Sequence, residues 1–212
     1  MKYVERSTKA HRKIGRPLSF DRDTALRQAM LTFWSHGYET SSIADLTSAM
    51  GITPPSLYAA FGDKKRLFLE AVKLYAGDPE AMARSIADAP SAYDAAHEML
   101  IGAATAFTDQ ATPPGCLLAS ATSSGSAASA DVQRAVANIR RAIAAMLRSR
   151  IERDIASGAL PAQTDARALS ALVIAVIQGM SVLARDGSDR TALLQLVDAM
   201  LAGWPSANGR CQ

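Results

Sequence analysis

From residue 21 onward apolar positions recur at helical spacing, and nowhere do they alternate with polar ones at period two. An all-α chain of about nine helices is therefore expected. Asp21 and Asp23 open the first helix, where acidic side chains suit the positive end of the dipole, and Leu26, Ala29, Met30 and Phe33 form its stripe. Gly37 is expected to end it in a left-handed conformation. After the connector 38–42, Ile43, Leu46 and Met50 mark a short second helix that Gly51 stops. Thr53 can cap a third. Pro54 and Pro55 follow in its first turn, where amide protons lack helical partners anyway. That helix holds Ser56, Leu57, Tyr58 and Phe61. Gly62 and Asp63 separate it from a fourth, with Leu67, Phe68, Ala71, Val72 and Tyr75, which breaks or kinks at Gly77-Asp78-Pro79.

Helical periodicity continues over 91–109, 131–157, 164–184 and 188–204, with a clear break at Thr112-Pro113-Pro114-Gly115. Cys116 to Ala119 reads as a short apolar turn, leading into a small-residue stretch, 120–130. On 164–184, Leu169, Leu172, Val173, Val176, Ile177, Met180 and Leu183 form a wide stripe, with Ile174 and Val182 outside it. A helix apolar nearly all round needs cover on both sides. The cover is either a second copy of the chain or a central place inside the monomer. Ser170, Ala171, Ala175 and Gly179 would allow close helix approach. The expected dimer interface is Leu169, Leu172, Val173, Val176, Ile177 and Met180, with Leu193, Val197, Met200 and Trp204 from the last helix. The uncharged run 168–184 is at the lower limit for a membrane span and contains Ser170, Gln178, Gly179 and Ser181, so it reads as a buried helix and no membrane is expected.

Composition agrees with helices. Of 212 residues 49% are hydrophobic and only 6% aromatic, with alanine used heavily. The net charge of +3 is unevenly spread. Residues 1–66 carry eleven Lys and Arg against six Asp and Glu; the rest carries twelve against fourteen. A basic head on a mildly acidic body points to a polyanion met at one end. The division expected is a basic arm at 1–19, a reading head at 20–66, a body at 67–206 and a tail at 207–212. Cys116 and Cys211 lie too far apart for a disulfide framework or a metal-ligand spacing. The N-terminus lacks the apolar run of a secretory signal, so a reduced, cytoplasmic protein is expected.

Residues 42–61 have the layout of a helix-turn-helix. Leu46, Met50, Leu57 and Phe61 can pack its two helices together and against Phe33, which leaves the start of the second free for a major groove. Ser56 can bond a base edge or phosphate, Pro55 can touch a thymine methyl, and Tyr58 can offer its hydroxyl to a phosphate. Lys64 sits at the next helix start, where charge and dipole both favour a phosphate. With Thr53 as cap and Arg16 in the arm, these are the expected DNA contacts. A plain helical hairpin is the alternative reading of the same pattern.

Residues 20–75 resemble the DNA-binding domain of the TetR/AcrR transcriptional regulators. The resemblance runs through Ala29-x3-Phe33-x3-Gly37-Tyr38, Thr40-Ser41-Ser42-Ile43-Ala44-Asp45-Leu46, Gly51-Ile52 and Leu57-Tyr58-x2-Phe61-x2-Lys64-x2-Leu67-Phe68. A broad subgroup of that family also matches at Gly15-Arg16-Pro17, Pro114-Gly115-Cys116, Gln178-Gly179-Met180-Ser181 and Trp204-Pro205. The resemblance implies a three-helix DNA-binding domain, a C-terminal helical domain for ligand binding and dimerisation, and a homodimer built on a four-helix bundle of the last two helices. Such a dimer would read a near-palindromic double-stranded operator. Base contacts would fall to Pro54, Pro55 and Ser56, and phosphate contacts to Thr40, Ser42, Tyr58 and Lys64. Ala59 and Ala60 depart from the aromatic and histidine common there, so their contacts are not carried over.

The body should enclose a pocket for a small-molecule inducer, with Tyr75, Met82, Met99, Phe107, Cys116, Leu117, Met146 and Gln178 as candidate lining. Each could equally be plain core. Cys116 is either a small buried hydrophobe or a sensor open to oxidation, alkylation or metal capture. Copper(I) would need soft ligands, for which Met99, Met146 and His97 are possible companions. The chain has no phosphate loop, nucleotide-binding glycine pattern or His-Glu metal motif, and a thiol enzyme at Cys116 would lack a base, so neither enzyme nor cofactor is expected. A DNA-binding protein of structural role, with no inducer, is the remaining alternative.

Overall fold

The computed structural model describes residues 20–120 and 129–206. The arm at 1–19 with Arg16, the stretch 121–128 and the tail with Cys211 lie outside them. Ten helices and no strand occur among the described residues: α1 (Arg22–His36), α2 (Ile43–Met50), α3 (Pro54–Phe61), α4 (Lys64–Ala76), α5 (Pro79–Asp88), α6 (Ala92–Phe107), α7 (Leu117–Ser120), α8 (Ala130–Ala156), α9 (Ala166–Arg185) and α10 (Arg190–Ala202). The break expected at 77–79 is both a stop and a start, because Asp78 caps α5 by accepting from the Glu80 amide, with Pro79 in the first turn. Side-chain caps open most other helices in the same way, through Asp21, Ser42, Thr53, Asp63, Ser91, Asp165 and Asp189.

The first three helices and the start of α4 close over one small core. Phe33, Leu46, Leu57, Leu67 and Phe68 are wholly buried in it. Phe68 meets Phe33 edge-on, with ring centroids 5.0 Å apart at 89°, an arrangement the ring quadrupoles favour. The guanidinium of Arg22 lies 4.3 Å from the centre of the Phe61 ring and donates to Glu70 (2.6 Å) and to the Ala60 carbonyl (3.3 Å), joining the start of α1 to the end of α3 and to α4. The boundary expected at 66/67 falls within α4, which runs unbroken from this core into the body.

In the body, α8 packs on α9, and α6 packs on α8, α9 and α10. A buried ion pair fixes the α5–α6 connection to α8. The side chains of Arg150 and Asp154 are only 6% and 7% exposed. Asp154 also accepts from the Ala92 amide (2.6 Å), while Arg150 donates to the carbonyls of Ala89 (3.1 Å) and Pro90 (2.9 Å). All of these backbone groups flank the start of α6.

The last two helices correct the expected interface. Val173, Met180, Leu193 and Val197 are wholly buried within the chain itself and belong to its core. The apolar surface that α9 leaves uncovered is Leu172 (49% exposed), Val182 (56%) and Leu183, with the small residues Ala171, Ala175 and Gly179 between them. The stripe read from the sequence therefore covers two faces of one helix. Val182, left outside it, lies on the outward face. Leu169, Val176, Met200 and Trp204 are half-buried.

Replacing Asp154 with alanine leaves the Arg150 charge buried and unpaired, a change that typically costs about 3–5 kcal/mol. Equilibrium unfolding of Asp154→Ala should show a loss of this size, and a loss under about 1 kcal/mol, the worth of an exposed pair, would mean that water reaches Arg150.

Candidate nucleic-acid interface and body cavity

The reading helix α3 is held from behind and open in front. Leu57 and Phe61 are buried, whereas Thr53, Pro54, Pro55, Tyr58 and Ala59 are exposed. The turn before it depends on Gly51, at φ +65° and ψ +31°, whose amide donates to the Ser48 and Thr47 carbonyls. Thr53 accepts from the Ser56 amide, and its hydroxyl lies 2.9 Å from that of half-buried Ser56. The expected base-reading residues thus form one contiguous, uncharged edge.

The expected phosphate contacts are less uniform. Ser42 and Asp45 form a reciprocal capping box: the Ser42 hydroxyl donates to the Asp45 carboxylate (2.6 Å) and accepts from the Asp45 amide (3.1 Å). The Ser42 hydroxyl and amide both donate to this carboxylate, which holds its pKa below the usual range. Ser42 is therefore first a helix cap. The exposed Thr40 hydroxyl donates to the His36 carbonyl. Lys64 folds back. Its ammonium donates to the Glu39 carbonyl (3.2 Å) and sits 4.7 Å from the centre of the Tyr38 ring. Burial lowers its pKa from the ordinary lysine value. Lys65 pairs with Asp131 of α8, which leaves Arg66 the most exposed of that basic cluster. Tyr38, the platform beneath Lys64, entered the sequence reading only as part of the family pattern, with no role assigned; an aromatic beside a turn carries no signal of the cation it will meet.

The body contains a cavity of about 850 Å³. Of the expected lining, Tyr75, Met82, Met99, Phe107, Cys116, Met146 and Gln178 face it. Leu117 does not: it is wholly buried, and its neighbours Cys116 and Leu118 line the wall instead. Ile177, expected at the dimer interface, also lines the cavity, as does Ile174. The wall is mainly apolar, with Gln178, Glu98 and Arg140 among its polar members; Arg140 donates to the Leu118 carbonyl (2.8 Å). Cys116 is 5% exposed and accepts from the Tyr75 hydroxyl (3.4 Å), whose pKa burial raises. His97 stacks on Tyr93 outside this wall, so it does not join Met99, Met146 and Cys116 as a metal ligand. Among the described residues no three His, Cys, Asp or Glu cluster for a metal.

Of the wall residues that went unnoticed in the sequence, one stands apart. Trp34, on α1 of the reading head, lines the body cavity. Its ring edge meets Tyr75 at 4.8 Å between centroids and 83° between planes, and its indole N–H donates to the Gly115 carbonyl (3.1 Å).

Comparison with known proteins agrees with this geometry. The family described as bacterial regulatory proteins, tetR family, matches residues 25–71, and the tetracyclin repressor-like C-terminal domain matches residues 97–200. The HTH-type transcriptional repressor ComR of Escherichia coli (strain K12) is 34% identical over 90% of this chain and 92% of its own. The repressor BdcR of the same organism is 33% identical over 52% of this chain and 56% of its own. Among solved structures, a cysteine-substituted form of the TetR family transcriptional regulator CifR, complexed with 26-base-pair double-strand operator DNA, superposes with a TM-score of 0.84. It is 42% identical and is matched over 90% of this chain and 100% of that one. An uncharged reading edge on a glycine-turned helix pair, carried by a helical body with a cavity, thus comes with sequence identity along nearly the whole chain, and the protein belongs to the TetR family of transcriptional regulators.

Proposed function

We propose that this chain is a transcriptional repressor that binds a near-palindromic operator as a homodimer and leaves it when a small apolar molecule enters the body cavity. One observation carries the reading: the cavity wall is built partly by Trp34 and Tyr75, on the two helices that enclose the reading-head core. A molecule at this end of the cavity touches the head. The repressor names of ComR and BdcR and the operator complex of CifR support the DNA-bound role. Such a protein works in the cytoplasm, where its DNA is. The mainly apolar wall selects a molecule of the same kind. Cys116, buried and hydrogen-bonded to Tyr75, serves as wall, since reactive thiols sit in electropositive, partly exposed places.

The uncovered face of α9 supports the dimer. This is the one helix among the described residues long and apolar enough to cross a membrane. Its inner face belongs to the bundle core, so only the strip at Leu172, Val182 and Leu183 needs cover. A second copy supplies that cover symmetrically and sets two reading heads on a two-fold axis.

Selection of binding sites from randomised duplex DNA, followed by salt titration, tests the reading edge. Ser56→Ala should relax preference at one position of each half-site. Tyr58→Phe should weaken all duplexes alike by about three- to tenfold, the worth of one hydrogen bond. Lys64→Gln should lower the salt slope by about one; an unchanged slope would assign Lys64 to bracing Glu39 alone. Sedimentation of Leu172→Glu/Val182→Glu should show a monomer with little operator affinity, and a persisting dimer would remove α9 from the interface. Thermal denaturation against neutral apolar compounds should reveal ones that raise the Tm, because binding to the folded state stabilises it, and the same compounds should release DNA. Stabilisers that leave the operator complex intact would separate the cavity from regulation.

A further inference from the structure

Trp34 of α1 joins the reading head to the wall of the cavity. We propose that Trp34, fastened by Arg185 of α9 and by the loop at Gly115, is the coupling residue through which occupation of the cavity changes the setting of the reading head. The proposal rests on the cavity being the effector site.

Trp34 lies in the last turn of α1, next to Phe33, the centre of the reading-head core. The carbonyls of a last helical turn lack internal partners, and that of Trp34 accepts from the guanidinium of Arg185 (3.2 Å). Arg185 is the last residue of α9, the helix whose outward face is offered to a second copy. The indole of the same tryptophan donates to the Gly115 carbonyl. One residue of the head is thus bonded twice to the body, once through its backbone and once through its ring.

The anchor behind it has no slack. Gly115 holds φ +79°, and a Cβ there would lie 2.7 Å from the Ser181 carbonyl oxygen and 2.9 Å from Nε of Arg185. Its amide donates to the Phe107 carbonyl (3.0 Å), and the next amide, of Cys116, donates to the Ser181 hydroxyl (2.8 Å). Loop, α9 and α1 meet as one block. The soft side is the cavity, where the Trp34 and Tyr75 rings form the wall. A molecule that pushes these rings breaks the indole bond or tilts α1 about Arg185. Either motion changes the placing of α1, and with it the packed head, relative to the dimer helix. A ligand shifts this balance only by binding the two settings unequally.

The test measures that inequality. N-phenyl-1-naphthylamine, a neutral apolar fluorophore, is titrated into the protein alone and into protein saturated with an operator duplex recovered by selection. The ratio of the two dye affinities is the coupling factor, and linkage makes it equal to the factor by which dye weakens DNA binding. The native chain should show a factor of about five or more, the usual allosteric range. Arg185→Gln lies outside the cavity wall, so it should keep the dye affinity of the free protein while the factor falls towards one. Trp34→Phe, which loses the indole donor, should lower it too, with melting curves confirming that both variants fold. In a Trp204→Phe background Trp34 is the sole tryptophan, and bound dye should quench its emission; unquenched emission would overturn the proposal. A native-sized factor in both variants would also overturn the coupling role while leaving the effector reading intact. A factor of one in the native chain, or no dye binding, would instead fail the effector reading, and the latch with it.

Discussion

Phe33 and Trp34 are neighbours on one helix and are buried in different places. Successive residues of an α-helix point about 100° apart, so two adjacent aromatics can serve two cores. Phe33 receives Phe68 and closes the reading head over Leu46 and Leu57. Trp34 turns the other way, onto Tyr75 and the body cavity. Every arrangement of head on body has to satisfy both rings at once. One helix thus ties the packing of the head to the packing of the body.

That packing holds a reading helix without charge. The leading edge of α3 is Thr53, its cap, with Pro54, Pro55 and Ser56, all uncharged. Their positions depend on buried packing at Leu57 and Phe61 and on the capping hydroxyl of Thr53. The charges nearby are largely spent on the fold. Arg22 clamps α3 to α4, Lys64 braces the connector over Tyr38, and Lys65 reaches α8. Within the chain, these residues set the arrangement of the head.

Much of this was legible in the chain. Helix starts were, because an Asp, Ser or Thr before an apolar period satisfies amides that nothing else can. The second and third helices were, because Gly51 admits the left-handed turn between them. Seven of the eight proposed cavity residues face one space, since helical spacing decides which side a residue takes. The failures have physical reasons. Leu117 sits on a helix of one turn, too short for a period to define its face. The α9 stripe merged an inward and an outward face, because apolar spacing does not say which neighbour covers each side; hence Val173 and Met180 proved to be core, and Ile177 cavity wall. Trp34 was missed because its partners, Gly115 and Arg185, are 81 and 151 residues away in the chain, and one sequence contains no trace of that proximity.

Gly115 has a consequence for how such a protein can diversify. The contact it makes with Ser181 is backbone against backbone, at a separation that excludes every Cβ. No substitution at position 115 can make that joint slightly looser or tighter. Variation has to accumulate around the joint, in the sulfurs and aromatics of the wall and in the side chains of Trp34, Ser181 and Arg185. A joint closed to gradual change, ringed by positions open to it, fixes where α1 meets α9 while leaving the chemistry of the cavity wall free to vary.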